Sequence, residues 1–124
     1  MEGANIYAPG AVLSTTGGHG DIHAFPVEWV THYGHGGGAL YLADGVPECL
    51  RAVRAQLRLG AKVIKVCASG GVLSELDDPI HQQFSEEELR AIVAEGGTRG
   101  PGSSSNASSS LGRTAAFRTT RCAR

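Results

Sequence analysis

The pattern of apolar and polar positions predicts a helix in the middle of the chain. Apolar side chains recur there at the i, i+4, i+7 and i+11 spacing of one helical face, at Val46, Leu50, Val53 and Leu57. Asp44 suits the N-cap position, and Gly60 suits the first position beyond the carboxyl end. The sequence therefore predicts a helix from Asp44 to about Leu59.

A run of β-branched residues follows this helix at once. The segment Ala61-Lys-Val-Ile-Lys-Val-Cys67 is typical of a buried strand, which the pair Gly70-Gly71 ends. An acidic loop then leads to Ser85-Glu-Glu-Glu88, a capping box that predicts the start of a second helix. The apolar face of this helix is predicted at Leu89, Ile92 and Val93. Helix, strand, loop and helix in this order indicate an α/β fold with a parallel sheet or barrel.

The first third of the chain is less regular. Ile6 to Leu13 is a short apolar segment around Pro9-Gly10 and predicts a strand. From Ser14 to Leu42 the residues are mainly Gly, His and Thr, and only Val27 to Val30 shows an apolar pattern. Long irregular loops within compact enzymes are usually functional. We therefore expect this segment to be a functional loop.

Charge divides the chain into two parts. Residues 1–95 contain six Lys or Arg and twelve Asp or Glu, whereas residues 96–124 contain five Arg and no acid. The second part is rich in Gly and Ser and lacks the apolar residues that offset the entropy of ordering. The sequence thus predicts a partial α/β domain over residues 1–95 and a disordered basic tail over residues 96–124. Such an abrupt change of composition is also typical of a GC-rich gene read in a shifted frame.

Other features exclude several classes of protein. No signal peptide is visible, and no stretch approaches the ~20 apolar residues of a membrane helix. The cysteines, Cys49, Cys67 and Cys122, fit neither a disulfide framework nor a zinc ribbon. Scattered arginines with one Phe do not indicate nucleic-acid binding. We expect a cytoplasmic protein whose partner is a small molecule, with no nucleic acid and no membrane.

Lys65 is the most informative residue of the predicted strand. Period-two alternation places it on one face with Val63 and Cys67. A lysine inside a buried parallel strand is costly, so two interpretations stay open. In one, the side chain reaches solvent from the end of the strand, as Lys62 does. In the other, desolvation keeps the amine neutral, and a neutral amine reacts with carbon dioxide to give a carbamate that bridges two metal ions.

The Gly- and His-rich segment is a second candidate site. His19 and His23 have a spacing found in metal sites, although no helix is predicted there to bring both to one face. His32 and His35 are ordinary polar residues in the simplest interpretation. Ala68-Ser69-Gly70 lacks the flanking glycine of a G-x-S-x-G motif, so no serine nucleophile is predicted. A small His-rich metal-binding or interaction module without catalysis is the alternative function.

The loop from Ala68 to Pro79 leaves the carboxyl end of the predicted strand. In parallel α/β folds that end contains the active site. The glycines of the loop allow the backbone to approach a ligand closely. Asp77 and Asp78 either cap a turn, which we favour, or bind substrate.

Six motifs occur in a fixed order between about Ala8 and Glu95. They are Ser14-Thr-Thr-Gly-Gly-His-Gly-Asp21, Leu42-Ala-Asp-Gly-Val46, Val63-Ile-Lys-Val66, Ala68-Ser-Gly-Gly-Val-Leu-Ser74, Asp77-Asp-Pro79 and Gln83-Phe-Ser-Glu-Glu-Glu-Leu89. Together they resemble the imidazolonepropionase-like and Xaa-Pro dipeptidase-like branch of the amidohydrolase superfamily.

The resemblance implies part of a (β/α)8 barrel of the TIM type, about strands three and four with their helices. It also implies one or two divalent metal ions, usually zinc, and hydrolysis of amide or peptide bonds in dipeptides or N-acyl amino acids. Lys65 matches the family's carboxylated lysine, which bridges the metal ions, and His19 lies in a loop that faces the substrate. The family's metal histidines and its late aspartate have no match in this chain. We therefore expect a fragment without activity of its own.

Overall fold

The computed structural model describes residues 3–4, 8–70, 82–98, 107–108 and 115–118. This part of the chain contains five strands and three helices in mixed order. The elements are β1 (Val12–Ser14), α1 (Val27–His35), β2 (Leu40–Leu42), α2 (Gly45–Arg58), β3 (Val63–Val66), α3 (Glu86–Thr98), β4 (Ala107–Ser108) and β5 (Ala115–Arg118).

The strands form one sheet in the order β2-β1-β3-β5-β4. Strand β1 pairs in parallel with β2 on one side and with β3 on the other. Strand β5 lies antiparallel to β3, and β4 lies antiparallel to β5. Helix α2 directly precedes β3, so that strands alternate with helices as parallel pairing requires. The predicted α/β class with a parallel sheet is confirmed for the first three strands.

Both ends of α2 and the amino end of α3 agree with the predicted boundaries. Asp44 is the N-cap of α2, and Gly60 just beyond its carboxyl end has a φ of 89°, a left-handed conformation that favours glycine. The capping box of α3 is present. The Ser85 N–H donates to Glu88 Oε2 at 2.6 Å, and the Glu88 N–H donates to Ser85 Oγ at 3.3 Å.

The buried face of α2 is rotated relative to the predicted one. Its buried residues are Cys49, Ala52, Val53, Gln56 and Leu57. Gln56 is only 1% exposed, and its side-chain Oε1 accepts a hydrogen bond from the Ala11 N–H at 2.8 Å. A polar side chain takes this core position because it satisfies a backbone N–H where the chain enters β1. Because glutamine is polar, a pattern of apolar positions alone could not predict that Gln56 belongs to the buried face.

The hydrophobic core lies on one side of the sheet, beneath α2 and α3. Strand side chains that enter it are Leu13, Tyr41, Ile64 and Val66. Residues on or next to the two helices complete it, mainly Cys49, Ala52, Val53, Phe84 and Ile92. The two helices also contact each other, and Arg54 Nε lies 2.7 Å from Glu95 Oε1 between them. The predicted face of α3 is confirmed, since Leu89 and Val93 pack against this core beside Ile92.

The segment predicted as a long loop contains two regular elements, so that prediction is wrong for α1 and β2. Helix α1 begins after Pro26, with Glu28 in its first turn and His32 and His35 in its last. The acidic Glu28 near the amino end of the helix complements the helix dipole. Gly34 allows α1 to pack directly on β2, since a Cβ there would lie 2.4 Å from the Leu40 carbonyl oxygen.

Some residues after Glu95, where the sequence predicts a disordered tail, lie in regular elements of the described structure. Disorder of the tail as a whole stays a prediction. Helix α3 continues to Thr98, and β5 pairs with β3 from Val63↔Arg118 to Val66↔Ala115. Strand β5 pairs there because the backbone groups along the edge of β3 would otherwise lack hydrogen-bond partners. Backbone pairing of this kind does not depend on which side chains the partner strand carries. The remaining residues of the segment 96–124 lie outside the described part, and the domain boundary at Glu95 stays a prediction.

Candidate active site

The loops that follow β1 and β3 leave the sheet at the same edge. The two strands are adjacent and parallel, with Val12 opposite Lys65 and Leu13 opposite Val66. The Cys67 N–H donates to the Leu13 carbonyl oxygen at 2.9 Å, which continues the pairing to the end of β3. This is the edge at which parallel α/β folds assemble active sites.

Lys65 lies at the third position of the four-residue strand β3, and the burial pattern of that strand alternates. Ile64 and Val66 are completely buried, whereas Val63 and Lys65 are half-buried. Val12, the cross-strand neighbour of Lys65, is half-buried as well. These three residues, Val12, Val63 and Lys65, define what we term the Lys65 face. It is the side of the sheet opposite α2 and α3. Period-two alternation predicted that Val63, Lys65 and Cys67 share one face, and Cys67, just beyond the strand, is more deeply buried than the other two, at 5% exposed.

His19 lies in the loop after β1, and its side chain is exposed. The loop itself is fixed at several backbone positions. The His19 N–H donates to Gln83 Oε1 at 3.1 Å, and the Gly20 N–H donates to the buried Ser14 Oγ at 3.0 Å. The Gln83 N–H in turn donates to the Ala68 carbonyl oxygen at 3.0 Å, next to the end of β3. Both predicted site residues therefore belong to elements that meet at one sheet edge.

Asp44, which follows β2, connects the loop after β2 to the loop after β1 at the same end of the sheet. Its carboxylate accepts hydrogen bonds from the Thr16 N–H at 2.9 Å and from Thr16 Oγ1 at 2.5 Å. Asp44 was predicted as an N-cap, and it has that position, but its side chain makes no capping hydrogen bond. Glu48 accepts the hydrogen bond of the Asp44 N–H instead, at 2.8 Å. The carboxylate of Asp44 thus fixes the Gly-rich loop rather than the helix end.

A small polar cleft of about 150 Å³ lies beside Asp44, between α1, β2 and α2. Its walls include Thr16, Tyr41, Glu48 and Arg51. His35 also lines it, and the centroids of the His35 and Tyr41 rings are 4.7 Å apart. Burial raises the pKa of the Tyr41 hydroxyl, and the nearby Arg51 partly opposes this. His35 therefore has a packing role here, in line with its interpretation as an ordinary polar residue.

Ser69 lies at the same end of the sheet, and the sequence did not single it out as a candidate. It follows β3 by three residues and makes an isolated antiparallel bridge with Gln82. The residue is 9% exposed, and its Oγ has no hydrogen-bond partner in the part of the chain that the structure describes. The only sequence signal was its position after the carboxyl end of the strand, where hydroxyl side chains are common for many reasons.

The chain does not by itself supply a metal site among residues 3–4, 8–70 and 82–98. No three His, Cys, Asp or Glu side chains come together there, and the His19–His23 pair finds no third ligand. Asp77 and Asp78 lie outside the described residues. Cys49 and Cys67 are both buried, and they are not joined to each other in a disulfide. Burial, followed by the nearby Glu88 carboxylate, raises the pKa of Cys49 to about 12, which keeps this thiol protonated at neutral pH.

No helix in the described part of the chain combines the length and the apolar character needed to cross a membrane.

Comparison with known proteins identifies relatives of most of the chain. The model of the amidohydrolase family matches residues 2–99. Ochratoxinase of Aspergillus niger is 54% identical over 104 residues, which cover 77% of this chain and 22% of that enzyme.

Solved structures show the same similarity in three dimensions. The crystal structure of A. niger ochratoxinase has a TM-score of 0.71 at 52% identity and covers 76% of this chain and 24% of its own. A prolidase complexed with N-methylphosphonate-L-proline has a TM-score of 0.65 at 40% identity, with 77% and 24% covered. An amidohydrolase has a TM-score of 0.66 at 41% identity, with 80% and 25% covered.

The chain thus spans about a quarter or less of the length of these relatives. Members of the matched family are hydrolases that generally use divalent metal ions and act on small amide substrates. The match over residues 2–99, together with relatives that share both sequence and backbone, shows that the chain belongs to the amidohydrolase family, as its motifs predicted.

Proposed function

We propose that this chain forms part of the active site of a metal-dependent amidohydrolase that cleaves C–N bonds in dipeptides or N-acyl amino acids. The observation that supports this most directly is the position of Lys65. The lysine lies near the centre of a parallel strand, on the face opposite the helices and close to the edge where the loops meet. The names of two relatives, an ochratoxinase and a prolidase, agree with amide and peptide hydrolysis.

In this proposal β1 and β3 correspond to two neighbouring strands of a (β/α)8 barrel, about the third and fourth. Their parallel pairing supports this, as does the placement of α2 and α3 on one side of the sheet. In such a barrel the helices lie outside, so the face opposite them points to the barrel interior. The Lys65 face is then interior. Strand β2 is a departure, since it pairs with β1 on the side away from β3.

Lys65 is proposed to act as a carbamate. The neutral amine forms an N–C bond with carbon dioxide and releases one proton, which leaves an anion with two oxygen ligands. Zinc is the metal that we propose for the intact site, where it would supply Lewis-acid polarisation of the amide carbonyl. The described residues provide this one ligand position and no complete metal centre. We therefore expect the 124-residue chain alone to hydrolyse no amide above background.

His19 is proposed to contact the substrate. Its side chain is exposed in the loop at the carboxyl edge, and its backbone N–H is held by Gln83. A side chain that is exposed while its backbone is held in place is well suited to contact a substrate in an open site. The alternative function, a small His-rich metal-binding module, would need at least three ligands together, and none of the described His, Cys, Asp and Glu side chains form such a group.

A segment exchange tests the proposal. Residues 8–95 of this chain would replace the matching segment of A. niger ochratoxinase, to which it is 54% identical, so that the remaining barrel comes from the relative. The chimera is expected to hydrolyse ochratoxin, for which the relative is named, and members of a panel of dipeptides and N-acyl amino acids. Lys65→Ala should lower this activity at least about 100-fold, since the metal bridge is lost.

Lys62→Ala is the matched control, because Lys62 is an exposed lysine just before the same strand. It should retain activity within about twofold. A short carboxylate such as formate should partly restore Lys65→Ala by taking the place of the carbamate. If Lys65→Ala keeps full activity in an active chimera, the proposed role of Lys65 is wrong. Turnover by the 124-residue chain itself would contradict the view that further barrel segments are needed.

A further inference from the structure

Ser69 differs from the other polar side chains at the carboxyl edge because its hydroxyl is buried without a partner. Ser14 Oγ, also buried, accepts the Gly20 N–H and lies 3.3 Å from the Thr15 carbonyl oxygen. The Gln82 side chain donates to the Phe84 carbonyl oxygen at 2.5 Å. In the described part of the chain, Ser69 Oγ is the only buried side-chain N or O atom without a hydrogen bond. Buried polar groups normally form hydrogen bonds, so an exception requires an explanation, such as a ligand that binds there.

The backbone around Ser69 is held in place. The residue forms a bridge with Gln82, and the Ala68 carbonyl oxygen accepts the Gln83 N–H at 3.0 Å. Gln83 is also the residue that holds the His19 loop. The backbone that carries the hydroxyl is therefore held in place beside the loop after β1, which keeps the position of the hydroxyl fixed, as binding groups in preorganised sites are.

We propose that Ser69 is a substrate-binding residue whose hydroxyl donates a hydrogen bond to the free carboxylate of a dipeptide or N-acyl amino acid. This inference rests on the proposed function. Both substrate classes carry such a carboxylate, and a hydroxyl bound to an anion makes a short, charge-assisted hydrogen bond.

A role as nucleophile does not agree with the structure. A nucleophilic serine needs a general base within hydrogen-bond reach, and no side chain among the described residues bonds to Ser69 Oγ. Ser69 therefore binds and orients, while the chemistry of bond cleavage takes place elsewhere in the site.

The kinetic test uses the chimera that contains residues 8–95. Ser69→Ala is expected to raise KM for carboxylate-bearing substrates about tenfold or more, since a hydrogen bond to a charged group is lost, while kcat changes by less than about threefold. Ser69→Thr keeps the hydroxyl and should behave like the parent. The same substrates with their carboxylate converted to an amide should show nearly equal KM values in the parent and in Ser69→Ala.

The stability test uses the 124-residue chain. Ser69→Ala should leave the denaturation midpoint unchanged or raise it, since no hydrogen bond to protein is lost, whereas Ser14→Ala should lower it. A KM unaffected by Ser69→Ala, or raised equally for the amide-terminated substrates, would overturn the proposal. A midpoint lowered as much as by Ser14→Ala would overturn it as well, because Ser69 would then be structural. Activity that survives Lys65→Ala contradicts the proposed metal bridge instead, so the two failures are distinguishable.

Discussion

The two faces of the parallel strands differ in what covers them. On the helix-covered face, Leu13, Ile64 and Val66 are completely buried beneath α2 and α3. On the Lys65 face, Val12 and Val63 remain half-buried beside the lysine. Both faces belong to the same few residues of β1 and β3, so the difference arises from alternation along the strand and not from the composition of a segment.

If the proposed role of Lys65 is right, stability and chemistry are assigned to opposite sides of one sheet. The helix-covered face contains the apolar contacts that hold the chain together. The Lys65 face tolerates a charged side chain because α2 and α3 lie against the other side of the sheet. In a closed barrel the same face would be interior, where a lysine needs a functional partner. Four predictions test how sharply the two faces are separated.

The largest effect is expected from neighbouring substitutions on β3. Ile64→Ala should lower the free energy of unfolding by about 2–5 kcal/mol, since it creates a cavity beneath the helices. Val63→Ala, one residue earlier on the Lys65 face, should cost less than about 1.5 kcal/mol. Urea denaturation followed by circular dichroism measures both. Equal losses of unfolding free energy in the two variants would show that both faces contribute equally to stability.

Gln56 provides the next largest effect, because it joins α2 to the start of β1. Gln56→Met keeps the length of the side chain but removes the acceptor of the Ala11 N–H, which should cost about 1–3 kcal/mol. Arg58→Met is the control at an exposed position of the same helix, expected within about 0.5 kcal/mol of the parent. An unchanged stability in Gln56→Met would indicate that another group, or water, satisfies the Ala11 N–H.

The cap of α3 tests how the helix-covered face is anchored. Ser85→Ala removes the side chain that accepts the Glu88 N–H and should lower stability by about 1 kcal/mol. Ser85→Thr retains a hydroxyl and should recover most of this loss. Thermal denaturation of the three proteins provides the comparison. A loss in Ser85→Thr as large as that in Ser85→Ala would point to the exact shape of the side chain instead of its hydrogen bond.

The elements of the helix-covered face were predictable because local signals and burial agree there. Asp44, Gly60 and Ser85 mark helix ends by conformation and capping, and these effects depend on a few neighbouring residues. The strand around Ile64 combines β-branched side chains with complete burial. In each case short-range chemistry and long-range packing favour the same structure.

The elements that the sequence did not reveal depend on distant partners. Helix α1 contains Gly34 where a helix former would be expected, and it exists because its backbone packs on β2. Strand β5 needs only the open edge of β3. The unpaired hydroxyl of Ser69 is likewise a property of its surroundings, since nothing in Ala68-Ser69-Gly70 distinguishes it from a serine in an ordinary loop.

The smallest effect on stability is expected at the residue with the largest proposed effect on activity. Lys65 is half-buried on the face opposite α2 and α3, and no ion pair with it is present in the described part of the chain. Lys65→Met keeps the aliphatic length of the side chain and should change the free energy of unfolding of the 124-residue chain by no more than about 0.5 kcal/mol. The same substitution in the chimera should remove activity. A loss of several kcal/mol in the chain alone would mean that Lys65 stabilises the fold. Its position on β3 would then be explained by stability, without a metal.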